Sequence, residues 1–320
     1  MGFLAGIALS VVALWLALRN VHLGEVRDAL TSASGPSLGL GTVLILATFP
    51  LLGLRWHAVA GVRASRRPTM IELTLIGAAV NNVLPGRLGE LARAAGLARD
   101  TRRSAFAAFG TVVIDRLIDM SVLAVCLAAT VAWSPVPYWV RWIVALGSAS
   151  AIAGVVVVAV IVAMVRRRGV PTAGRWRVRL GAFAQGLDCI GSWRAALRVA
   201  LWAVCVWSAW MVGAWFIARS LGVSLSAIEI IFMTGIVGLG SALPSAPGFI
   251  GTYHWLASST LVLYGVARPD ALAFAVLVHA SWFVPTTLGG CALMLRRGVT
   301  WTSLRSVSVP PPIERNANPT

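Results

Sequence analysis

The sequence predicts an all-α, polytopic membrane protein with about six full transmembrane helices and two opposed re-entrant helical hairpins. Three observations carry this. Of 320 residues, 58% are hydrophobic and only 12% charged, against about 25% charged in a soluble domain. Mean hydropathy is +0.83. Apolar stretches near the ~20 residues needed to cross a bilayer recur along the chain. Two of them, one in each half, are interrupted by Pro/Gly breaks.

The elements follow in order. Residues 3–18 form the first span; no basic residue precedes this run, so it reads as uncleaved and not as a signal peptide. Residues 37–54 form the second, ended by Arg55. The stretch 69–98 contains the first break, NNVLPGRLGELARAAG at 81–96. Spans at 104–132 and 142–165 follow, then an arginine-rich segment at 166–198 with interspersed Trp and Phe. That segment reads either as a topology-setting loop or as an amphipathic stretch on the anionic leaflet. A span at 198–218 leads to the second broken stretch, 226–264, with GSALPSAPGFIGTYHW at 240–255. The last span is 271–295. Residues 1–298 thus form one transmembrane domain, and 299–320, with their Pro310–Pro312 run, a disordered cytoplasmic tail.

Arginine sets the topology. All 27 basic residues are arginine, against 11 acids, a net charge of +16. They flank apolar spans, which argues against nucleic-acid binding and for cytoplasmic membrane loops. Four arginines fall in 55–68, five in 87–103, eight in 166–198 and four in 296–320. This places both termini in the cytoplasm, in a multi-pass protein of the bacterial inner membrane. Because 55–68 and 87–103 are both basic, a crossing between them would break the positive-inside rule. The segment 69–98 therefore dips in from the cytoplasm and returns, and by the same count 226–264 dips in from the opposite face. Opposed hairpins suggest an inverted repeat, although no sequence repeat is visible. Eight plain spans are the alternative.

The breaks carry the candidate site. Proline removes a backbone donor and clashes with the preceding turn, so backbone groups lose helical partners. In hydrocarbon such groups survive only inside protein or against a wet cavity. In the first break Pro85, Gly86 and Gly89 are the structural breaks, and Asn81 and Asn82 offer amides. A helix starting after Gly86 would present its N-terminal amides to an anion. Arg87 and Arg93 are expected to bind phosphate, and Glu90, three residues from each, reaches either on a helix. The next span carries Asp115, Arg116 and Asp119. Its two carboxylates share a face at i,i+4 and repel unless a cation intervenes. Arg116 reaches Asp119, while Asp115 meets an arginine of the hairpin, Arg87 or Arg93. The alternatives are a proton-coupling carboxylate or an ion pair that only fastens helices. In the second break Pro244, Pro247, Gly248 and Gly251 interrupt the helix, and Ser245, Thr252 and Tyr253 offer hydroxyls for a head group or a packing turn.

Catalysis is not expected. There is no GxSxG elbow, no HExxH and no acidic metal cluster, and no spacing enforces a dyad between Ser241 or Ser245 and His254 or His279. The four cysteines form no CxxC pair. No cofactor and no metal are predicted.

Three ordered motifs, NNVLPGRLGE at 81–90, DRLID at 115–119 and PSAPGFIG at 244–251, resemble the flippase-like lysylphosphatidylglycerol synthase transmembrane family. In that family's bifunctional members such a module moves aminoacylated phosphatidylglycerol between leaflets, and a soluble domain makes the lipid. The chain ends soon after its last span, so no synthase domain and no aminoacyl transfer are expected. Two positions depart from the pattern: Asp115 stands where Glu is common, and Phe249 where a second Gly is common. The resemblance implies translocation of a lipid or lipid-linked head group, with Arg87, Glu90, Asp115 and Arg116 in the head-group site. The alternative is a non-transporting partner that presents a polyprenyl-phosphate or glycolipid to a separate transferase.

Overall fold

The computed structural model describes residues 2–84, 86–134, 136, 138–168, 193–241 and 245–298. Pro85, Pro244, the tail from 299 and most of the arginine-rich segment lie outside the described residues. Those residues form eleven α-helices, with no strand among them. They are α1 (Gly2–Leu18), α2 (Leu23–Ser32), α3 (Gly35–Ala60), α4 (Arg67–Val83), α5 (Leu88–Thr101), α6 (Ala105–Thr130), α7 (Tyr138–Arg168), α8 (Trp193–Ser220), α9 (Ala227–Gly240), α10 (Thr252–Leu263) and α11 (Arg268–Arg296).

Three helices, α3, α8 and α11, are both long and apolar enough to cross a membrane. They match the expected spans at 37–54, 198–218 and 271–295. Helix α6 is of similar length but carries Asp115, Arg116 and Asp119. Helix α1 turns by 81° into α2, a short helix between the expected spans at 3–18 and 37–54. Helices α3 and α8 run antiparallel at glycine contact: a Cβ on Gly41 would sit 2.7 Å from the Gly213 carbonyl oxygen, and the converse distance is 2.8 Å. Without a hydrophobic force between helices in lipid, small residues that let backbones touch supply much of the attraction.

Both broken stretches are antiparallel helical hairpins. In the first, α4 and α5 pack with Gly77 against Gly89 and Arg93, and Leu73 against Gly96. In the second, α9 and α10 bring Gly240 to Leu256 and the Phe232 ring to Tyr264. Helices α5 and α9 have 14 residues and α10 has 12, about 20 Å or less of rise, against a ~30 Å hydrocarbon core.

The hairpins enter the bundle from opposite ends. At one end Arg103 Nη1 donates to the Ala60 carbonyl at 2.6 Å, and Arg297 binds Glu72 of α4 and Asp100 of α5 at 2.8 and 2.9 Å. At the other, Ser34 N donates to Ser220 O at 2.8 Å, Trp215 Nε1 to Leu225 O at 3.1 Å and Tyr264 Oη to Ser134 Oγ at 2.6 Å. The arginine count and the packing thus agree that the two hairpins enter from opposite ends. Burial lowers the Arg297 pKa and the hydrogen bonds to Glu72 and Asp100 raise it, with a net shift upward. Arg297→Ala is expected to cost about 2 kcal/mol, the scale of charged hydrogen bonds lost from a part-buried site. A melting temperature equal to wild type in detergent would show that this clamp does not hold the first hairpin.

Candidate functional site at the meeting of two hairpin tips

The first tip is closed by its own side chains. Leu84 ends α4, with its amide donating to Val80 O at 2.8 Å. Gly86 (φ 78°) and Arg87 (φ 55°) then turn the chain into α5. Asn81 clips the turn from inside: its Oδ1 accepts from Gly89 N at 2.8 Å, and its Nδ2 donates to Glu90 Oε2 at 3.1 Å. The expectation of free N-terminal amides is therefore corrected at Gly89, whose N–H is taken. Asn82 is buried and faces α11, donating to Thr287 Oγ1 at 2.8 Å and Thr286 Oγ1 at 3.2 Å. Its amide fastens the hairpin to the last helix.

The second tip is a short 3₁₀ turn, Pro247–Phe249, with Gly248 at φ 66°, Phe249 at φ 59° and Gly251 at φ 89°. A Cβ on Gly251 would lie 2.1 Å from Ser10 O, so only glycine fits between this turn and α1. Ser10 Oγ also accepts from Ala246 N at 2.7 Å. His279 Nε2–H donates to Gly248 O at 2.8 Å, and Tyr253 stacks on the His279 ring at 5.1 Å. Thr252 Oγ1 closes the turn on Phe249 O at 3.2 Å. Phe249 departs from the motif's usual glycine and sits in the backbone region that favours glycine, a strained position for an aromatic residue. The structure shows what its ring does: the Arg87 guanidinium lies over it at 5.6 Å, within cation–π range.

Arg87 and Phe249 bring the two tips together. A Cβ on Gly248 would stand 3.3 Å from the Asn82 carbonyl oxygen. Beside this contact lies a cavity of about 240 Å³. The first hairpin lines it with Asn81, Arg87, Glu90 and Arg93, and the second with Ser241, Phe249 and Tyr253. Helix α6 adds Arg116 and Asp119, α8 adds Trp207 and Trp210, and α11 adds Trp282. Of the predicted site residues, Ser245 lies in the break, and Thr252 and Asp115 pack behind the lining.

A buried ion network forms one wall. Arg55 and Asp115 are both 0% exposed. Arg55 Nε donates to Asp115 Oδ1 at 2.9 Å and Nη1 to Asp119 Oδ1 at 2.6 Å, so it is the cation the i,i+4 carboxylates require. Arg93 Nη2 donates to Asp115 Oδ2 at 2.8 Å, and its guanidinium lies 4.2 Å from the Trp56 ring centroid. Trp207 Nε1 donates to Asp119 Oδ1 at 3.2 Å. The sequence reading offered Arg93 to phosphate and to Asp115 alike; here that nitrogen is committed to Asp115. Arg55 was missed because it was counted among cytoplasmic arginines, although the two unmatched acids of α6 were the signal. Arg116, 37% exposed in its side chain, stands 3.4 Å from Asp119 and 3.9 Å from Glu90. No group of three or more His, Cys, Asp or Glu suited to a metal occurs among the described residues.

A family model described as the lysylphosphatidylglycerol synthase TM region matches residues 3–290. The chain is 27% identical to the glycosyltransferase AglD of Haloferax volcanii, in a match covering 93% of this chain and 55% of that protein. It is 32% identical to a UPF0104 membrane protein of Methanothermobacter thermautotrophicus over 118 residues, 35% of each chain. It therefore spans about half the length of the first relative and matches about a third of the second. No solved structure matches.

Proposed function

The chain belongs to the lysylphosphatidylglycerol synthase TM region family, and we propose that it moves a lipid or lipid-linked head group between the leaflets of a bacterial inner membrane. One observation carries the reading. Two short hairpins enter from opposite ends and meet over a largely apolar cavity into which the charged residues Arg87, Glu90 and Arg116 are set. Broken helices that meet in mid-bundle are where transporters bind substrate. Each tip then forms a thin barrier between the cavity and one face, and the Arg87–Phe249 contact lies where the barriers touch. A cavity of about 240 Å³ is smaller than the ~300–1,000 Å³ of a drug-sized ligand site. It suits a head group while acyl chains remain in the bilayer.

Arg87 and Arg116 bind the phosphate, with Glu90 and Asp119 holding Arg116 in place. Arg55 and Asp115 brace the wall, and Arg93 joins them through Nη2 while its Nε stays without a partner. Both termini are cytoplasmic, the first hairpin opens to the cytoplasm, and six helices cross fully. The protein itself performs no bond-making step. The test is leaflet exchange of labelled phospholipids in proteoliposomes. Wild type is expected to exchange lipid above empty liposomes, and Arg87→Ala to lower the rate at least tenfold, as expected for loss of a charge-assisted contact worth about 1.5–3 kcal/mol. Glu90→Ala is expected to slow exchange as well, by releasing Arg116 and the Asn81 clip. Exchange that is unchanged in both variants would remove the tip from the substrate path.

A second reading draws on the glycosyltransferase relative, which spans nearly twice the matched region. In it, the module presents a lipid-linked substrate to a separate lipid-modifying enzyme. Absence of exchange, together with a co-purifying transferase, would favour it.

A further inference from the structure

The unmatched polar atoms of the interior converge on one place. Among the described residues, five buried side-chain nitrogens and oxygens have no hydrogen-bond partner: Arg87 Nη2, Arg93 Nε, Arg116 Nε, Trp282 Nε1 and Thr234 Oγ1. All five belong to residues that line the cavity between the tips. Native interiors leave few such groups unpaired, because each one costs its full desolvation. Arg93 is 3% exposed, Trp282 8% and Thr234 2%. Four of the five atoms are obligate N–H donors, and the hydroxyl donates or accepts. The unmatched atoms are therefore almost all donors in want of an acceptor.

The charges point the same way. Around the cavity and its wall stand Arg55, Arg87, Arg93 and Arg116 against Glu90, Asp115 and Asp119, one positive charge in excess. Asp115 accepts from both Arg55 and Arg93, and Asp119 from Arg55 and Trp207. A ligand carrying ammonium groups would find those two carboxylates already matched, with Glu90 held by Asn81 and beside Arg116, and would face three guanidinium groups.

We propose that the cavity selects an anionic phosphate-ester head group rich in acceptor oxygens, held by Arg87, Arg93 and Arg116 at one side and by Trp282 and Thr234 at the other, and that it rejects aminoacylated head groups. This rests on the head-group reading above but narrows it to one chemical class. It sets the substrate apart from the aminoacylated lipid that the family name suggests.

The experiment is calorimetric titration of the full chain in detergent with four probes. These are a short-chain phosphatidylglycerol, its lysyl ester, a short-chain phosphatidylcholine and soluble glycerol phosphate. Phosphatidylglycerol is expected to bind at least tenfold more tightly than the lysyl ester and more tightly than the zwitterion. Trp282→Phe and Thr234→Val leave every charge in place, and each is expected to weaken it about fivefold, one neutral hydrogen bond. Tighter binding of the lipid than of glycerol phosphate assigns the ligand to the membrane, and equal binding assigns the same chemistry to a soluble ester. A lysyl ester that binds as tightly as its parent overturns the proposal, and undiminished affinity in both Trp282→Phe and Thr234→Val overturns the assignment of the far side. The two readings fail separately. Selective binding without leaflet exchange would leave the head-group class standing and remove translocation. Exchange with preference for the lysyl ester would do the reverse.

Discussion

Arg55→Met is expected to destabilise the protein by about 3–5 kcal/mol, the range measured when one partner of a buried ion pair is removed. Arg55 has no access to solvent and gives hydrogen bonds to Asp115 Oδ1, Asp119 Oδ1 and the Asp115 carbonyl oxygen at 2.9, 2.6 and 3.2 Å. Methionine fills much of the same volume but leaves two carboxylates four residues apart on α6 without the cation between them. Arg93 still meets Asp115 and Trp207 still meets Asp119, so the carboxylates retain partners but lose most of their compensation. The expected result is a sharply lower unfolding midpoint in detergent. Adding Asp115→Asn and Asp119→Asn to Arg55→Met is expected to restore a large part of the loss, because charge, and not volume, is what Arg55 supplies. A single Arg55→Met variant that melts with wild type would mean that the network is not a structural element. Failure of the triple variant to recover would assign the role of Arg55 to packing.

The same residue shows where sequence reasoning reaches its limit. Apolar length was enough to place α3, α8 and α11, since a span is a local property of about 20 residues. The Pro/Gly breaks were equally local, and arginine counting gave the opposed entry of the hairpins. The span at 37–54 was ended at Arg55 because an arginine after an apolar run ordinarily marks the cytoplasm. In the structure α3 continues to Ala60 and buries Arg55 completely. Its partners lie 60 and 64 residues away, and no hydropathy window sees such a pairing. Glu90 gives a second example. Helical spacing pointed it at Arg87 or Arg93, yet it accepts from Asn81 across the turn and stands near Arg116 of α6. The motif residues were therefore legible as a cluster. Which of them face the cavity and which only brace its wall depends on tertiary contacts: Arg93 pairs with Asp115, Asn82 with α11, and Phe249 carries Arg87.

Gly89→Ala is expected to open the first hairpin at its tip. A Cβ at this position would stand 2.0 Å from Gly77 O and 2.6 Å from the Asn81 side chain. The first obstacle is backbone and cannot rotate away, so α4 and α5 must separate. Overpacking of this kind costs about 1–3 kcal/mol, and Gly89→Val, with two further methyl groups, is expected to exceed that. The position also joins stability to function. Its amide is the one Asn81 holds, and Asn81 in turn holds Glu90, so separating the helices releases the carboxylate beside Arg116. In the exchange assay Gly89→Ala is expected to lower the rate more than its effect on melting explains, with Asn81→Ala reproducing the functional loss without the steric one. Equal exchange in wild type and both variants would mean that a closed tip is not required for lipid movement. In Gly96→Ala the added Cβ meets the flexible Leu73 side chain at 2.3 Å, two turns from the tip on the same face of α5, and neither residue lines the cavity. It is expected to lower stability while leaving exchange per folded molecule unchanged, which separates loosening of the hairpin from disruption of its tip.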